Sequence, residues 1–386
     1  MNRAIQLLIQ HRSPILLAAG VAVLVAVGVL SGVKPLQLSL TEMMIRMTIV
    51  VGLYVFIGNS GILSFGHIGF VCIGAYAAGW ATADPSWKQL MLSGLPSFLQ
   101  DEEYPFLVAQ AGAMVLPAIV ALALGAAIMR LRGIGASIAT FAFLMIIQSW
   151  YSNWDSVTAG ASSLARLPTV VDPWIGLAFA VGAIAVAYLF QISRWGLMLR
   201  ASRDDDVAAK ASAVRIVRER LIAFALSAAM VGAGGGLYAQ FLGSMTVDQF
   251  YLEMTFVTLA MLVVGGIGSL SGAVIGVLAV TFVIEFLRTF EHGFSIDGVK
   301  FLLPSGSQEI GLGVVMALIL IWRPTGLTRS REIGAPHELA RRSRRRAASP
   351  SSVSRFRTRL ISIGRVKRRK AHDHNPVNPP TCFAVH

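Results

Sequence analysis

Residues 47–83 read MTIVVGLYVFIGNSGILSFGHIGFVCIGAYAAGWATA, thirty-seven positions without Asp, Glu, Lys or Arg. One helix of that length would extend roughly 55 Å at 1.5 Å per residue. A bilayer core is about 30 Å thick and takes about 20 helical residues. The run is therefore too long for one crossing. Gly58-Asn59-Ser60-Gly61 lies inside it, where a helix can stop, so two spans are expected, one on each side of that break.

The same reading extends along the chain. Further stretches free of charged residues occur at 13–33, 104–129, 133–154, 173–193, 221–247 and 254–284. The last is interrupted by Gly265-Gly266-Ile267-Gly268-Ser269-Leu270-Ser271-Gly272 and is split likewise. A final apolar stretch, 310–322, is extended backwards by 301–308. The expectation is an all-α, polytopic membrane bundle of about ten spans with glycine-interrupted helices. The alternating segments of about ten residues that mark membrane β-strands are absent.

Composition agrees. Of 386 residues, 55% are apolar and 14% charged, against roughly 25% charged in ordinary globular proteins. Mean hydropathy is +0.66. These values exclude a soluble enzyme with one packed core. Cys72 and Cys382 are the only cysteines, which excludes a disulfide scaffold. Residues 329–386 hold 15 of the 33 basic side chains and 3 of the 20 acidic ones, so nearly all of the net charge of +13 belongs to that tail. Two units follow: a transmembrane domain over 1–328 and a basic cytoplasmic tail over 329–386, too poor in large apolar residues to fold. Attachment to anionic membrane lipids is the economical role for the tail; nucleic acid is not an expected partner.

Lys and Arg resist translocation, so basic clusters mark the cytoplasmic side. They fall at Arg3 and Arg12, at Arg130 and Arg132, between Arg194 and Arg220, and in the tail. The segments 82–106 and 243–253 are poor in base and lie opposite. An even number of spans then places both termini in the cytoplasm, with an uncleaved first helix. Both glycine breaks fall near the cytoplasmic side, although no internal repeat is recognisable.

Small residues let helices approach closely in lipid, so each glycine is first of all a packing position. The sharper reading is that broken helices line a substrate path, since irregular backbone at membrane depth needs protein or water beside it. His67 is the one titratable imidazole in the run 47–83. Glu42 with Arg46, and Glu285 with Arg288, stand at spacings of four and three and read as interfacial ion pairs. No metal cluster, catalytic triad or carboxylate pair stands out, so neither a cofactor nor an enzymatic activity is expected.

The segment 194–220 is long for a connection between spans. Ser202 followed by Asp205 resembles a capping box, with Asp204, Asp205 and Asp206 at the positive end of a short helix. Val207, Ala211 and Val214 then share one face, a small apolar stripe suited to docking in a groove.

These segments, taken in order, resemble the M-type permease subunits of the branched-chain amino acid ABC transporters, over about Leu40 to Leu327. The similarity lies in Leu63-Ser64-Phe65-Gly66-His67 with Gly74-Ala75-Tyr76, and in Leu131-Arg132-Gly133 with Ala139-Thr140-Phe141-Ala142-Phe143. It continues through Arg200-Ala201, Arg203-Asp204-Asp205 and Ala208-Ala209 to Gly236-Leu237-Tyr238-Ala239. Val264 to Gly272 and Arg323-Pro324-Thr325-Gly326-Leu327 complete it. The resemblance implies that 194–220 receives a cytoplasmic ATPase, with Arg200, Arg203, Asp204, Asp205, Ala208, Ala209 and Ala213 carrying the coupling. It implies a second permease subunit, two ATPase subunits and a periplasmic solute-binding protein, in a bacterial inner membrane. Taken with the glycine pattern, it sets the candidates for the translocation path: Ser64, Gly66, His67, Gly69, Gly74, Tyr76, Thr158, Gly160, Gly265, Gly266, Gly268 and Gly272.

Three departures stand out. Ala213 replaces a usual Gly and is expected to avoid positive φ. A usual Thr-Gly-Gly-x-x-Gly-Leu pattern reads Thr158-Ala159-Gly160-Ala161-Ser162-Ser163-Leu164. The basic tail also runs past the family's usual end. No Gly-Lys dipeptide occurs, so the chain has no Walker A loop. Energy must come from a partner, or from an ion gradient if the chain is instead a self-contained secondary transporter or channel. Urea or short amides are the alternative substrates.

Overall fold

The structure is a computed structural model that describes residues 12–131, 133–291, 294–296, 299–301, 306–323 and 326–328. The tail from residue 329, and with it the expected second unit, lies outside the described residues, as do Arg3, Arg132, Pro324 and Thr325. The chain forms α1 (Arg12–Leu30), α2 (Lys34–Ser60), α3 (His67–Thr82), α4 (Pro85–Met91), α5 (Ser97–Gln100), α6 (Phe106–Ile128), α7 (Ile134–Ser152) and α8 (Asp155–Thr158). It continues with α9 (Pro173–Ile192), α10 (Arg194–Asp204), α11 (Asp206–Ala211), α12 (Ile216–Leu242), a 3-10 turn (Val247–Phe250), α13 (Leu252–Gly265), α14 (Leu270–Glu291) and α15 (Ser307–Trp322). The only strands among the described residues are β1 (Phe294–Ile296) and β2 (Val299–Phe301), which pair antiparallel. Phe301 thus belongs to a hairpin, and the last helix begins at Ser307 rather than reaching back to 301.

Each unsplit apolar segment read from the sequence holds one helix, and the two split runs hold two each. Among the described residues, seven helical stretches are long and apolar enough to cross a membrane: α2, α6, α7, α9, α12, α14 and Val247–Gly265. The apolar part of α1, Pro14–Leu30, is shorter, as are α3 and α15. Both expected splits are present, α2 ending at Ser60 before α3 and α13 ending at Gly265 before α14.

The centre of the bundle is α2 with α12, both buried over most of their length. A helix apolar on all sides belongs in such a position. Helix α12 packs on α2, α3 and α6. It runs parallel to α3, placing Phe224 beside His67 and Phe70, Gly232 against Gly74 and Gly236 against Ala78. It runs antiparallel to α6, placing Gly232 against Ala113 and Pro117, and Leu221 against Gly125. These small residues bring the backbones together, so the attraction is packing between close surfaces. The crossings are tied by polar bonds between helices: Ser227 Oγ donates to Gly52 O at 2.7 Å, and Gln110 Nε2 to Ala233 O at 2.5 Å.

At the end of the bundle remote from α10, the connection between α3 and α6 is organised around one amine. Asp84 caps α4 by accepting from Trp87 N at 3.2 Å, with Pro85 at the first helical position. That bond holds the Asp84 carboxyl below its usual pKa. Lys88 is buried, and its Nζ donates to Trp80 O at 3.3 Å, Leu99 O at 2.6 Å and Glu102 O at 2.5 Å. Desolvation lowers the Lys88 pKa, opposed by the charges of Glu103, Asp84 and Asp101. One ammonium thereby gathers the end of α3, the end of α5 and the approach to α6. Lys88→Met leaves these carbonyls without their donor and should cost about 2 kcal/mol. Thermal unfolding of the detergent-solubilised protein should show a lower midpoint and faster proteolysis between residues 83 and 105. An unchanged midpoint and cleavage pattern would contradict this role.

Candidate functional site at the helix breaks

Where a helix stops inside an apolar bundle, its last carbonyls lose their partners and need others. At the end of α2, Gly61 adopts φ +72 and its N–H bonds to Ile57 O, the left-handed cap that glycine favours. The carbonyl of Gly58 is taken by a distant side chain: Arg203 Nη1, from α10, donates to it at 2.6 Å. The aliphatic stem of Arg203 lies on Gly61, where a Cβ would come within 2.6 Å of its Cγ. Only glycine fits that surface.

The second break lies against the first. A Cβ on Gly58 would sit 2.8 Å from Ile267 O, in the turn between α13 and α14. There Gly266 takes φ +119, and Ser269 Oγ accepts from Gly272 N at 3.1 Å to start α14. The carbonyls freed at the end of α13 are taken by the segment after α15. Leu327 N donates to Val264 O at 2.8 Å, and Thr328 Oγ1 to Gly265 O at 2.8 Å. Ser269 Oγ and Thr328 Oγ1 are 3.0 Å apart. Gly265 is backed by Gly272 and Gly276, close enough that no side chain fits between α13 and α14. Gly268 is half-exposed in the turn.

Helix α7 closes the other side of the first break. Ser137 Oγ donates to Leu63 O at 2.6 Å, and Gly66 packs on the Thr140 carbonyl with no room for a Cβ. Gly69 lies against Phe143. His67 opens α3, its Nδ1 2.7 Å from Ser64 Oγ and its ring enclosed by Phe56, Phe70 and Phe224 at centroid distances of 5.5, 6.0 and 5.3 Å. Both side chains are buried, and His67 Nε2 has no hydrogen-bond partner among the described residues.

The segment 194–211 is two helices meeting at Asp205. Ser193 caps α10 by accepting from Gly196 N, and Arg200 Nη2 donates back to Gln191 O at 2.5 Å. Asp205 caps α11, accepting from Val207 N at 2.9 Å and Ala208 N at 3.0 Å. The cap is thus Asp205 alone. Ser202 lies within α10, its hydroxyl on Leu199 O, so the capping box read from Ser202 does not form. Asp206 pairs with Lys210 and, at 3.4 Å, with Arg220 of α12. Asp204 is near Arg203 Nε at 3.6 Å. On α11, Ala209 is buried and Ala208 exposed, while Val207 projects with 78% of its surface open. Val214 falls beyond the end of the helix, so the three-residue stripe is shorter than its spacing suggested.

Ala213 corrects a second expectation. It sits at φ +62, in the left-handed region, so alanine holds the turn that glycine usually makes. Ala159, likewise in a usual glycine position, has φ +62 as well. A Cβ in that region costs roughly 1–2 kcal/mol.

The path candidates therefore form two groups. Ser64, Gly66, His67, Gly69, Gly265, Gly266, Gly268 and Gly272 gather at the breaks, beside Arg203. Tyr76, Thr158 and Gly160 lie toward the opposite end, and Gly74 is at the crossing with Gly232 between. Tyr76 is buried against Tyr151, with centroids 5.0 Å apart. Thr158 Oγ1 donates to the turn carbonyls of Tyr151 and Trp154 and accepts from Gly160 N. Sequence reasoning named Gly58 and Gly61 as part of a helix break but not as the contacts of Arg203 and Ile267, and it did not single out Thr328; these roles rest on contacts between segments far apart in the chain. The breaks themselves were the available signal.

A bundle with interrupted helices, whose interruptions meet a helical hairpin at one end, defines a membrane transport component. Residues 36–322 match the family described as branched-chain amino acid transport system / permease component, and the chain belongs to that family. Among curated proteins it is similar to the high-affinity branched-chain amino acid transport system permease protein LivM of Salmonella typhimurium, 26% identical over 324 residues that cover 74% of this chain and 68% of the relative. LivM of Escherichia coli is similar to the same extent. A probable branched-chain amino acid transport permease protein LivM of Methanocaldococcus jannaschii is 27% identical over 186 residues, covering 46% of this chain and 54% of the relative. No solved structure matches.

Restoring glycine at Ala213 should stabilise the end of α11 by about 1 kcal/mol, because the positive φ no longer opposes a Cβ. Amide exchange across residues 206–214 should slow by several-fold in Ala213→Gly. Faster exchange would show that the turn is unstrained.

Proposed function

We propose that this chain is one membrane-spanning subunit of an ATP-binding cassette importer for branched-chain amino acids. It would act with a second permease subunit, two cytoplasmic ATPase subunits and a periplasmic solute-binding protein. The family assignment and the LivM relatives support the substrate class. The absence of a Walker A loop supports assigning ATP hydrolysis to other chains. The basic clusters at Arg130, at Arg194 to Arg220 and in the tail support both termini in the cytoplasm, and the bacterial relatives support an inner membrane.

The observation that carries the mechanism is the bond from Arg203 to Gly58 O. Helices α10 and α11 form the coupling hairpin. On α11 the exposed apolar positions are Val207, Ala208 and Ala211, and on α10 Trp195 and Leu197 are exposed as well. A partner ATPase that grips this surface and closes on ATP moves α10. Arg203 passes that movement to the junction of α2 and α3, and contact between Gly58 and Ile267 passes it to α13 and α14. Two interrupted helices pivot together, and access to the path alternates between the two faces of the membrane. Arg200 and Arg220 hold the hairpin to the ends of α9 and α12, so the displacement reaches those two helices as well.

Replacing Arg203 with Glu removes the donor and places a carboxylate beside a carbonyl. In proteoliposomes holding the whole assembly, ATP hydrolysis should persist while leucine uptake falls at least tenfold. Asp205→Ala should weaken the α11 cap by about 1 kcal/mol and lower uptake less severely. Normal uptake in Arg203→Glu would rule out the coupling route.

A further inference from the structure

Glu42–Arg46 and Glu285–Arg288 read from the sequence as separate interfacial pairs. The structure brings them to one cleft. An opening of about 360 Å³ between α2, α12 and α14 is lined by Glu42, Glu285 and Arg288, with Ser39 and Thr289. Arg46 is joined to Glu42, and Arg288 to Glu285 at 3.1 Å. A second opening, of about 470 Å³, shares Ser39, Glu285 and Thr289 with the first and continues between α1, α2 and α14. Its walls are apolar, among them Leu40, Met43, Leu278 and Phe282. Beyond the three shared residues, one polar side chain interrupts them: Thr281, 6% exposed, whose Oγ1 has no hydrogen-bond partner among the described residues.

Charged side chains are costly at membrane depth and lie where water or a polar ligand reaches them. Glu42 is eight residues into α2 and Arg46 twelve, about 12 and 18 Å along the helix. The four charges sum to zero. A cation or an anion would find as much repulsion as attraction there, whereas a solute bearing both signs satisfies both. The adjoining apolar chamber asks for an uncharged, compact side chain.

We infer that this cleft binds a zwitterionic α-amino acid with an aliphatic side chain. The ammonium faces Glu42 and Glu285, the carboxylate faces Arg288, and the side chain enters the chamber beside Met43 and Phe282. The inference rests on the proposed transport function and assigns it a substrate subsite on the α2–α14 face, away from the glycine breaks. The breaks move the helices; the cleft holds the cargo.

The test uses the whole assembly in lipid nanodiscs and photo-leucine, a diazirine analogue of leucine, as probe. Labelling should map to residues 36–43 and 278–289. Excess leucine should suppress it, while isovalerate and isoamylamine, each carrying only one of the two charges, should not. Arg288→Gln should reduce labelling at least tenfold. Met43→Trp, which fills the chamber, should lower uptake of leucine far more than uptake of alanine, a selectivity change that general destabilisation would not produce. Labelling elsewhere, equal competition by the singly charged analogues, or an unaltered leucine-to-alanine ratio overturns the subsite, a result that would also fit a lipid chain or a helix of the second permease in the chamber. ATP-dependent leucine uptake by the unsubstituted assembly is measured alongside. Its presence with any of those results removes the subsite alone, and its absence removes the functional reading together with the subsite.

Discussion

A helix that stops within an apolar bundle leaves carbonyls that water does not reach, and each needs a donor from the protein. In this chain the donors come from far away in sequence. Arg203 supplies one to Gly58, and Leu327 and Thr328 supply them to Val264 and Gly265. Local shape follows from these bonds. Gly61 has no side chain because the arginine stem lies on it, and Gly66 has none because α7 passes over it. The need to satisfy backbone groups thus fixes which segments meet, and the meeting point is where movement of α10 can be felt by two interrupted helices at once.

That arrangement separates two tasks that glycine performs in the bundle. At Gly74, Gly232 and Gly235 it brings α3 and α12 together and makes a stiff core. At Gly61 and Gly266 it permits positive φ and ends a helix. The first kind builds a frame; the second interrupts it. Lys88 plays the corresponding part at the far end, where a single buried ammonium replaces a set of backbone partners.

Much of this was legible in the sequence because span length is a hard limit. The runs 47–83 and 254–284 exceed one crossing or contain glycine clusters, and both splits are present where they were read. The length of 194–220 likewise marked a segment with structure of its own, and it folds as α10 and α11. Finer features were not legible. Ser202 and Asp205 both suit a cap, and only the path of α10 decides between them. Ala213 was expected to avoid positive φ, a rule that a well-fixed turn overrides at modest cost. Glu42 and Glu285 are 243 positions apart, so nothing in their local spacing reveals that they face one cleft.

The mechanical claim is that α10 and the junction of α2 with α3 travel together. Spin labels at Leu63, in the junction, and Ala201, on α10, both lie at open positions. Electron–electron distance measurements on the full assembly, nucleotide-free and ATP-bound, compare them with each other and with a third label at Leu90 on the far side. A rigid linkage predicts a constant Leu63–Ala201 distance while the distance from each to Leu90 changes. A Leu63–Ala201 distance that shifts on ATP binding, with Leu63–Leu90 unchanged, would mean that the hairpin moves without carrying the junction.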